Sequence, residues 1–318
     1  MSVFEKWLQL FQSHARVGLT ISDYSIRMVL SHGTSNDAAH LDYWEEWLSP
    51  GIVENGRVKD EEAFTAHLKD MVHALKAKGK RTYFAIPDSQ LILRQFDFPG
   101  IKSDPELQNY FFIEIGNKIQ LPFEQAVFDF HVISRAATGT KVLLIAAPEA
   151  IVTQYRKLQG NAGLNPVNAE FSALGTERWV RQNYPQYSDK QRMYVQLEKE
   201  ALYVSIFDQE IPMFVRQVSL KGVDQEVAQE AFALNAATEI ERMLNFYQYS
   251  VRKGTDEVTA IYLLGDTEQS DQLKETLSAM VTQDVNTLYF DRERLQDSDS
   301  MSTAFIPVIG LALKEGMK

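Results

Sequence analysis

Two distant stretches of this chain follow one plan: three short apolar strands joined by tight polar turns, then helices. Residues 17–21 and 26–31 flank a polar turn, and 41–47 returns after a loop of Gly, Ser, Asn and Asp. Residues 193–197, 202–207 and 213–218 repeat the arrangement. After the first triple the apolar spacing predicts a helix over 61–77, with Phe64, Leu68, Met71, Val72 and Leu75 on one face. After the second it predicts a long helix over 224–249, with Ile240, Met243, Leu244 and Tyr247 on one stripe. Such a duplication predicts two α/β lobes with a ligand cleft between them.

From residue 82 the pattern changes. Strands are expected at 82–86, 91–98, 127–133 and 142–146, and helices at 104–119 and 148–158. These form an α/β unit in its own right, a small subdomain of about 82–166 inserted in the first lobe. A strand at 167–170 and a helix at 171–182 lead to the second copy, and the chain finishes with strand 260–264, helix 270–281, strand 287–290, an acidic loop and helix 302–314. The divisions are a leader 1–16, a first lobe 17–190 and a second lobe 191–318, whose final helix returns to the first lobe. In the leader, Phe4, Trp7, Leu8 and Phe11 recur at the spacing of an amphipathic helix. Its apolar face either packs on the body or a neighbouring subunit, or docks on a partner or membrane. Only Lys6 and Arg16 are near, fewer cations than interfacial anchors carry.

Composition excludes several function classes. With 45% hydrophobic and 24% charged residues the 318-residue chain is a globular one. Its 32 Lys and Arg against 43 Asp and Glu give a net charge of −11, and its densest basic run is Lys78-Gly79-Lys80-Arg81, so nucleic acid is not an expected partner. The absence of cysteine removes disulfides, thiolate metal sites and Cys nucleophiles, and fits a reducing compartment. The most apolar stretch, 304–313, contains Pro307 and Gly310 and is far shorter than the roughly 20 residues that cross a bilayer. The first residues lack a basic region followed by an apolar one. A cytoplasmic protein is expected.

Catalytic patterns are missing. There is no Gly-x-Ser-x-Gly elbow, no dinucleotide Gly-x-Gly-x-x-Gly, and Gly79-Lys80 is followed by Arg81 where a Walker loop has Ser or Thr. The six His never fall at i, i+4 with an acid between them, as a zinc site of that type requires. Asp297-Ser298-Asp299-Ser300 opens like a calcium loop, but Met301 takes the next ligand position and no Gly follows, so it reads as a solvated loop. No catalytic residue and no metal ligand is assigned.

The turns that open the two copies are more informative. Gly18-Leu19-Thr20-Ile21-Ser22-Asp23-Tyr24-Ser25-Ile26-Arg27 resembles the first phosphate loop of the actin-like ATPase superfamily, in the form Gly-Leu-Asp-Ile-Gly-Ser-Ser-Ser-Ile-Lys of the type IV pilus assembly family PilM. Further pieces follow that family in order. Gly51-Ile52-Val53-Glu54-Asn55-Gly56-Arg57-Val58-Lys59-Asp60 is similar to the segment before its first helix. Ile92-Leu93-Arg94, Phe98-Pro99, Glu114, Lys118, Leu121-Pro122-Phe123 and Phe128-Asp129-Phe130 resemble its small subdomain. Glu239-Ile240-Glu241-Arg242-Met243-Leu244-Asn245-Phe246-Tyr247 resembles its long helix, and Ile309-Gly310-Leu311-Ala312-Leu313 its terminal one. The resemblance covers nearly all of the chain after the leader. It implies an α/β, actin-like (ribonuclease H-like), duplicated two-lobed fold with an inserted small α/β subdomain.

The departures from that family bear on chemistry. An actin-like site needs an Asp in each phosphate loop to hold magnesium or its waters, and a Gly two residues later so that the backbone can approach phosphate. Here those positions are Thr20 and Ser22 in the first loop, and Gln196 and Glu198 in the second. The adenosine-side loop keeps Gly265 but has Asp266 where a second Gly is expected. A carboxylate at Glu198 also repels phosphate, by about 1 kcal/mol for unit charges 4 Å apart in water and more in a partly buried cleft. ATP and magnesium are therefore doubtful ligands, and no cofactor is assigned. The resemblance implies a non-catalytic adaptor of a type IV pilus or related secretion machine, gripping the N-terminal cytoplasmic tail of a PilN-like inner-membrane protein and engaging other pilus assembly components, peripheral to the membrane through its partner. The alternative is an active ATPase of the same superfamily with an atypical site. For the partner surface the expected residues are Phe111, Ile115, Lys118, Leu121 and Phe123, beside a groove between the first lobe and the small subdomain.

Overall fold

Buried Val17, Leu19 and Ile21 set β1 (Arg16–Ile21) against the first core, and the turn closed by Ser22 N–H to Ser25 O (2.9 Å) reverses the chain into β2 (Ser25–Ser31). The computed structural model describes residues 15–32, 41–100, 102–187, 191–199, 201–220, 229–254, 257–265, 270–290 and 301–314; the helix predicted in the leader, Asp266 and the loop predicted at 297–300 lie outside these. β3 (Leu41–Trp47) pairs antiparallel with β2. A hairpin of β4 (Val53–Glu54) and β5 (Arg57–Val58) leads to α1 (Glu61–Ala74). Asp60 caps that helix by accepting from Ala63 N–H, and Glu61 and Glu62 lie in its first turn, where the helix dipole favours acids. Phe64, Leu68, Met71 and Val72 form its buried face, as the spacing predicts.

β6 (Arg81–Ile86) adds to β1 in parallel. The chain then leaves the lobe for β7 (Ile92–Pro99), α2 (Asp104–Glu114), β8 (Ala126–Ala136) and β9 (Gly139–Pro148), a three-stranded sheet of order β7-β9-β8 with a helix upon it. It returns through α3 (Glu149–Asn161) to β10 (Asn165–Phe171), which pairs in parallel with β6. The first sheet has the order β10-β6-β1-β2-β3. Two expectations are corrected here. β6 belongs to the lobe sheet, and Ile151, Val152, Tyr155 and Leu158 of α3 pack the lobe core, so the small subdomain is 92–148 rather than 82–166. The helix predicted over 104–119 ends at Glu114, because Gly116 N–H bonds Ile119 O (2.9 Å) and Ile119 N–H bonds Glu114 O (2.8 Å), closing a turn.

α4 (Ser172–Asn183) leads to the second copy, where β11 (Arg192–Leu197), β12 (Ala201–Asp208) and β13 (Ile211–Ser219) form an antiparallel triple. α5 (Gln229–Phe246) covers it and ends in a wider turn at Tyr247–Val251. β14 (Ala260–Gly265), α6 (Ser270–Met280) and β15 (Asp284–Thr287) complete a sheet of order β13-β12-β11-β14-β15. Read from the third strand of each triple, both sheets have the same order, so the duplication is real. β15 lies before the strand predicted at 287–290: its register against β14 sets Asp284 beside Ala260, and beyond it Leu288 and Phe290 pack instead against the first lobe's helix, with the Phe290 ring 5.6 Å from that of Trp179, while Tyr289 is exposed. The last helix is shorter than 302–314. A tight turn at Thr303–Phe305 precedes α7 (Ile306–Ala312), with Pro307 in its first turn. α7 crosses α4 at Gly175 and Gly310, where a Cβ on either would overlap the other helix's backbone.

Candidate functional site

The β1–β2 turn and the β11–β12 turn face one another across the cleft between the lobes. Thr20, Ser22, Gln196 and Glu198 all line it, joined by Arg27, Asp88, Ser172 and Tyr203. The Ser22 hydroxyl is committed to its own turn, accepting from Ser25 N–H at 3.0 Å. Asp23 points away from the cleft, its two carboxylate oxygens accepting from Asn55 and Gly56 N–H at 2.9 Å. Arg27 fills the centre. Its guanidinium is buried, reaches Glu198 of the second lobe at 2.6 Å and Glu45 of the neighbouring strand at 2.8 Å, and lies 5.9 Å from the centre of the Phe305 ring. Gln196 donates to the same Glu198 carboxylate. About 30 Å³ remains among these groups, room for one or two waters.

Asp88 follows β6 and is buried against the same space. Ser172 Oγ donates to one of its oxygens at 2.6 Å, but desolvation outweighs that bond and pushes the carboxyl from 3.8 up to about 6. Desolvation and the Glu198 carboxylate likewise push the Tyr203 phenol well above its ordinary range, so it stays neutral. Gly265 is not part of this lining. Its N–H bonds Thr303 Oγ1 (2.9 Å), its carbonyl accepts from Ser302 Oγ (2.8 Å), and at φ +141 any Cβ would collide with the Leu197 carbonyl. Sequence reading found the loop positions and missed Arg27 and Asp88. The signals were there: a cation on the strand after the first loop, and an acid at the end of a buried strand.

The five expected partner residues gather elsewhere. Phe111 is 0% exposed, ringed by Phe96, Phe98, Tyr110, Phe128 and Phe130 at 5.5–6.3 Å. It packs the small subdomain's own core and cannot touch a partner directly. Ile115 and Leu121 pack at the edge of that core, Phe123 is half-buried, and Lys118 is exposed and paired with Glu114 at 2.8 Å. None of the five lines the groove between the first lobe and the small subdomain. That groove, about 290 Å³, is walled by Val127, Phe128 and Asp129 of β8 on one side and by residues 168–171 of β10 on the other. β8 and β10 are each the last strand of their sheets. The floor is apolar, from Ile86, Leu91, Ile145 and Leu174, while Lys314, bonded to Glu170 and Asn168, marks a charged border.

Known proteins share this architecture. A solved structure described as a PilM-PilN type IV pilus biogenesis complex superposes with a TM-score of 0.76 at 17% identity, covering 94% of this chain and 97% of that one. The ethanolamine utilization protein EutJ from Carboxydothermus hydrogenoformans gives 0.53 at 11% identity, with 97% of each chain covered. An inorganic polyphosphate/ATP-glucomannokinase from Arthrobacter sp. strain KM gives 0.50 at 10% identity, covering 94% and 97%. At these identities the fold is what is shared, the actin-like fold that the resemblance implied, and it serves both kinases and proteins of other kinds. No functionally curated protein matches the sequence. The model of the family described as type IV pilus assembly protein PilM matches residues 18–230, two thirds of the chain, and the protein therefore belongs to that family.

Proposed function

We propose that this protein is a non-catalytic adaptor of the type IV pilus assembly machine, which works on the cytoplasmic side and holds the N-terminal tail of a PilN-like inner-membrane protein in the groove beside the small subdomain. The groove carries the reading. Two strand edges, β8 and β10, border an apolar floor, so an extended peptide laid between them finds main-chain partners along its length and pockets for alternate side chains. Asp129, exposed on the β8 wall, and the net charge of −11 favour a tail that carries Lys or Arg. The solved complex that shares the fold pairs a PilM with a PilN. Among the described residues no helix is long and apolar enough to cross a membrane; in this reading the anchor belongs to the partner.

The cleft supports the non-catalytic half of the proposal. Its lining speaks against magnesium-ATP: the carboxylate at Glu198 is already held by Arg27 and Gln196, Thr20 and Gln196 offer no anionic ligand, which leaves Asp88 as the carboxylate not held by a cation, and the remaining space is about 30 Å³. The test is calorimetric titration of the full chain with a synthetic tail from the PilN-like protein encoded beside it. Saturable one-to-one binding is expected, weakened about tenfold or more, some 1.4 kcal/mol, by Phe128→Ala. Asp129→Lys should weaken it chiefly at low salt, and Lys118→Glu should leave it unchanged. No binding by the parent protein, or equal binding by Phe128→Ala, contradicts the reading.

A further inference from the structure

The lobes meet in two zones of opposite character. Behind the cleft the contact is apolar, with Phe171, Trp179 and Val180 packed against Tyr194, Phe207 and Tyr262. A buried network reinforces it: Arg192 of β11 pairs with Glu177 of α4, and Tyr194 Oη donates to the same carboxylate at 2.7 Å. In the cleft itself the lobes are tied by charge. Arg27 stands directly across from Glu45 in the β2–β3 register, so the sheet fixes where its guanidinium lies. Glu198 is fixed as well, by its N–H to Ala201 O (2.9 Å) at the β11–β12 turn and by Gln196. The Arg27 and Glu198 side chains are 4% and 2% exposed.

We infer that Arg27 is a built-in clasp, a cation carried by the first lobe that holds Glu198 of the second and keeps the cleft closed without any bound ligand. Two rigid bodies joined along one apolar edge can rotate about it unless the opposite edge is tied. Removing either partner leaves the other charge buried without its counterpart across the cleft while the lobes stay closed, a cost that opening relieves even where forming the pair gains little. The clasp sits where a ligand bridging the two lobes would have to lie, so the protein carries its own bridge. This inference concerns the lobes alone and stands whether or not a tail occupies the groove.

Distance measurement between the lobes tests it. The chain has no cysteine, so spin labels at Lys69→Cys on α1 and Ser278→Cys on α6, both exposed positions, report only that separation. Pulsed electron resonance should give one narrow distance distribution in the labelled parent. Glu198→Gln, which keeps the side-chain volume, and Arg27→Met should each broaden it with a population at a changed distance. Glu45→Gln, which weakens the same cation's contact within one lobe, should leave it narrow. Should Arg27→Met fail to fold, Glu198→Gln decides alone. A distribution unchanged in folded Glu198→Gln, or broadened as much by Glu45→Gln, overturns the clasp.

Discussion

Asp88 shows how much a single buried group can set. Ser172 satisfies one of its oxygens, while the other has no hydrogen-bond partner among the described residues, and burial raises its carboxyl from 3.8 to about 6. The folded protein therefore holds a proton that the unfolded chain has already released between those values. Unfolding free energy should fall as pH rises through that window and level off above it. Asp88→Asn removes the penalty of ionising in place. It should stabilise the protein at pH 8, by up to about 3 kcal/mol, and have little effect near pH 3.5, as followed by urea unfolding at both. A gain equal at the two pH values would mean that the carboxyl is not titrating there. On the back edge of the lobe interface Arg192 is fully buried with Glu177, and Glu177→Ala should cost about 3–5 kcal/mol, because an arginine without its counter-charge remains inside. Such roles escape a reading of the sequence for a plain reason. Thr20, Ser22, Gln196 and Glu198 sit in or just before turns whose positions are local to one strand pair, whereas what Arg27 does depends on a residue 171 positions away.

At the scale of elements, periodicity located those that bury one face, such as α1, and apolar runs located those buried all round, such as β2, but neither marked where they stop. The helix after 104 kept an apolar pattern through Ile115 and Ile119, yet those residues reach the same core from a turn rather than from a helix. Aromatic spacing also could not separate a core from a docking face: Phe111 looks the same in either role, and only the closure of the β7-β9-β8 sheet over α2 decides it. The exposed apolar residues of α2 are instead Phe112 and Ile113. Phe111→Ala should then cost about 3–5 kcal/mol of stability, read from thermal unfolding, rather than act as a selective binding variant. The α4–α7 crossing makes the same point through glycine. Gly310→Ala places a methyl group inside the Gly175 carbonyl, so the helices must separate, and a loss of about 1–3 kcal/mol or more is expected in the same measurement. Unchanged melting would mean that α7 does not seat on α4 as described.

Over the whole molecule, the duplicated plan was legible because each strand triple announces itself by short apolar runs and tight polar turns, and the structure gives the two copies one strand order. The groove was not legible in its residues. Its walls come from β8 and β10, which belong to different sheets and become neighbours only once the small subdomain has been inserted between β6 and β10. Two concave places thus differ in equipment: a cleft between the lobes filled by Arg27 and its carboxylates, and an open groove bordered by strand edges. The proposed adaptor would use the second and leave the first shut. Amide hydrogen exchange across the full chain, with the PilN-like tail and separately with magnesium-ATP, weighs the two directly. Slowed exchange confined to 126–129 and 168–171 with the tail, and none at 20–25 or 196–198 with magnesium-ATP, is the predicted result; protection of the cleft by magnesium-ATP with no protection of the groove by the tail would contradict it.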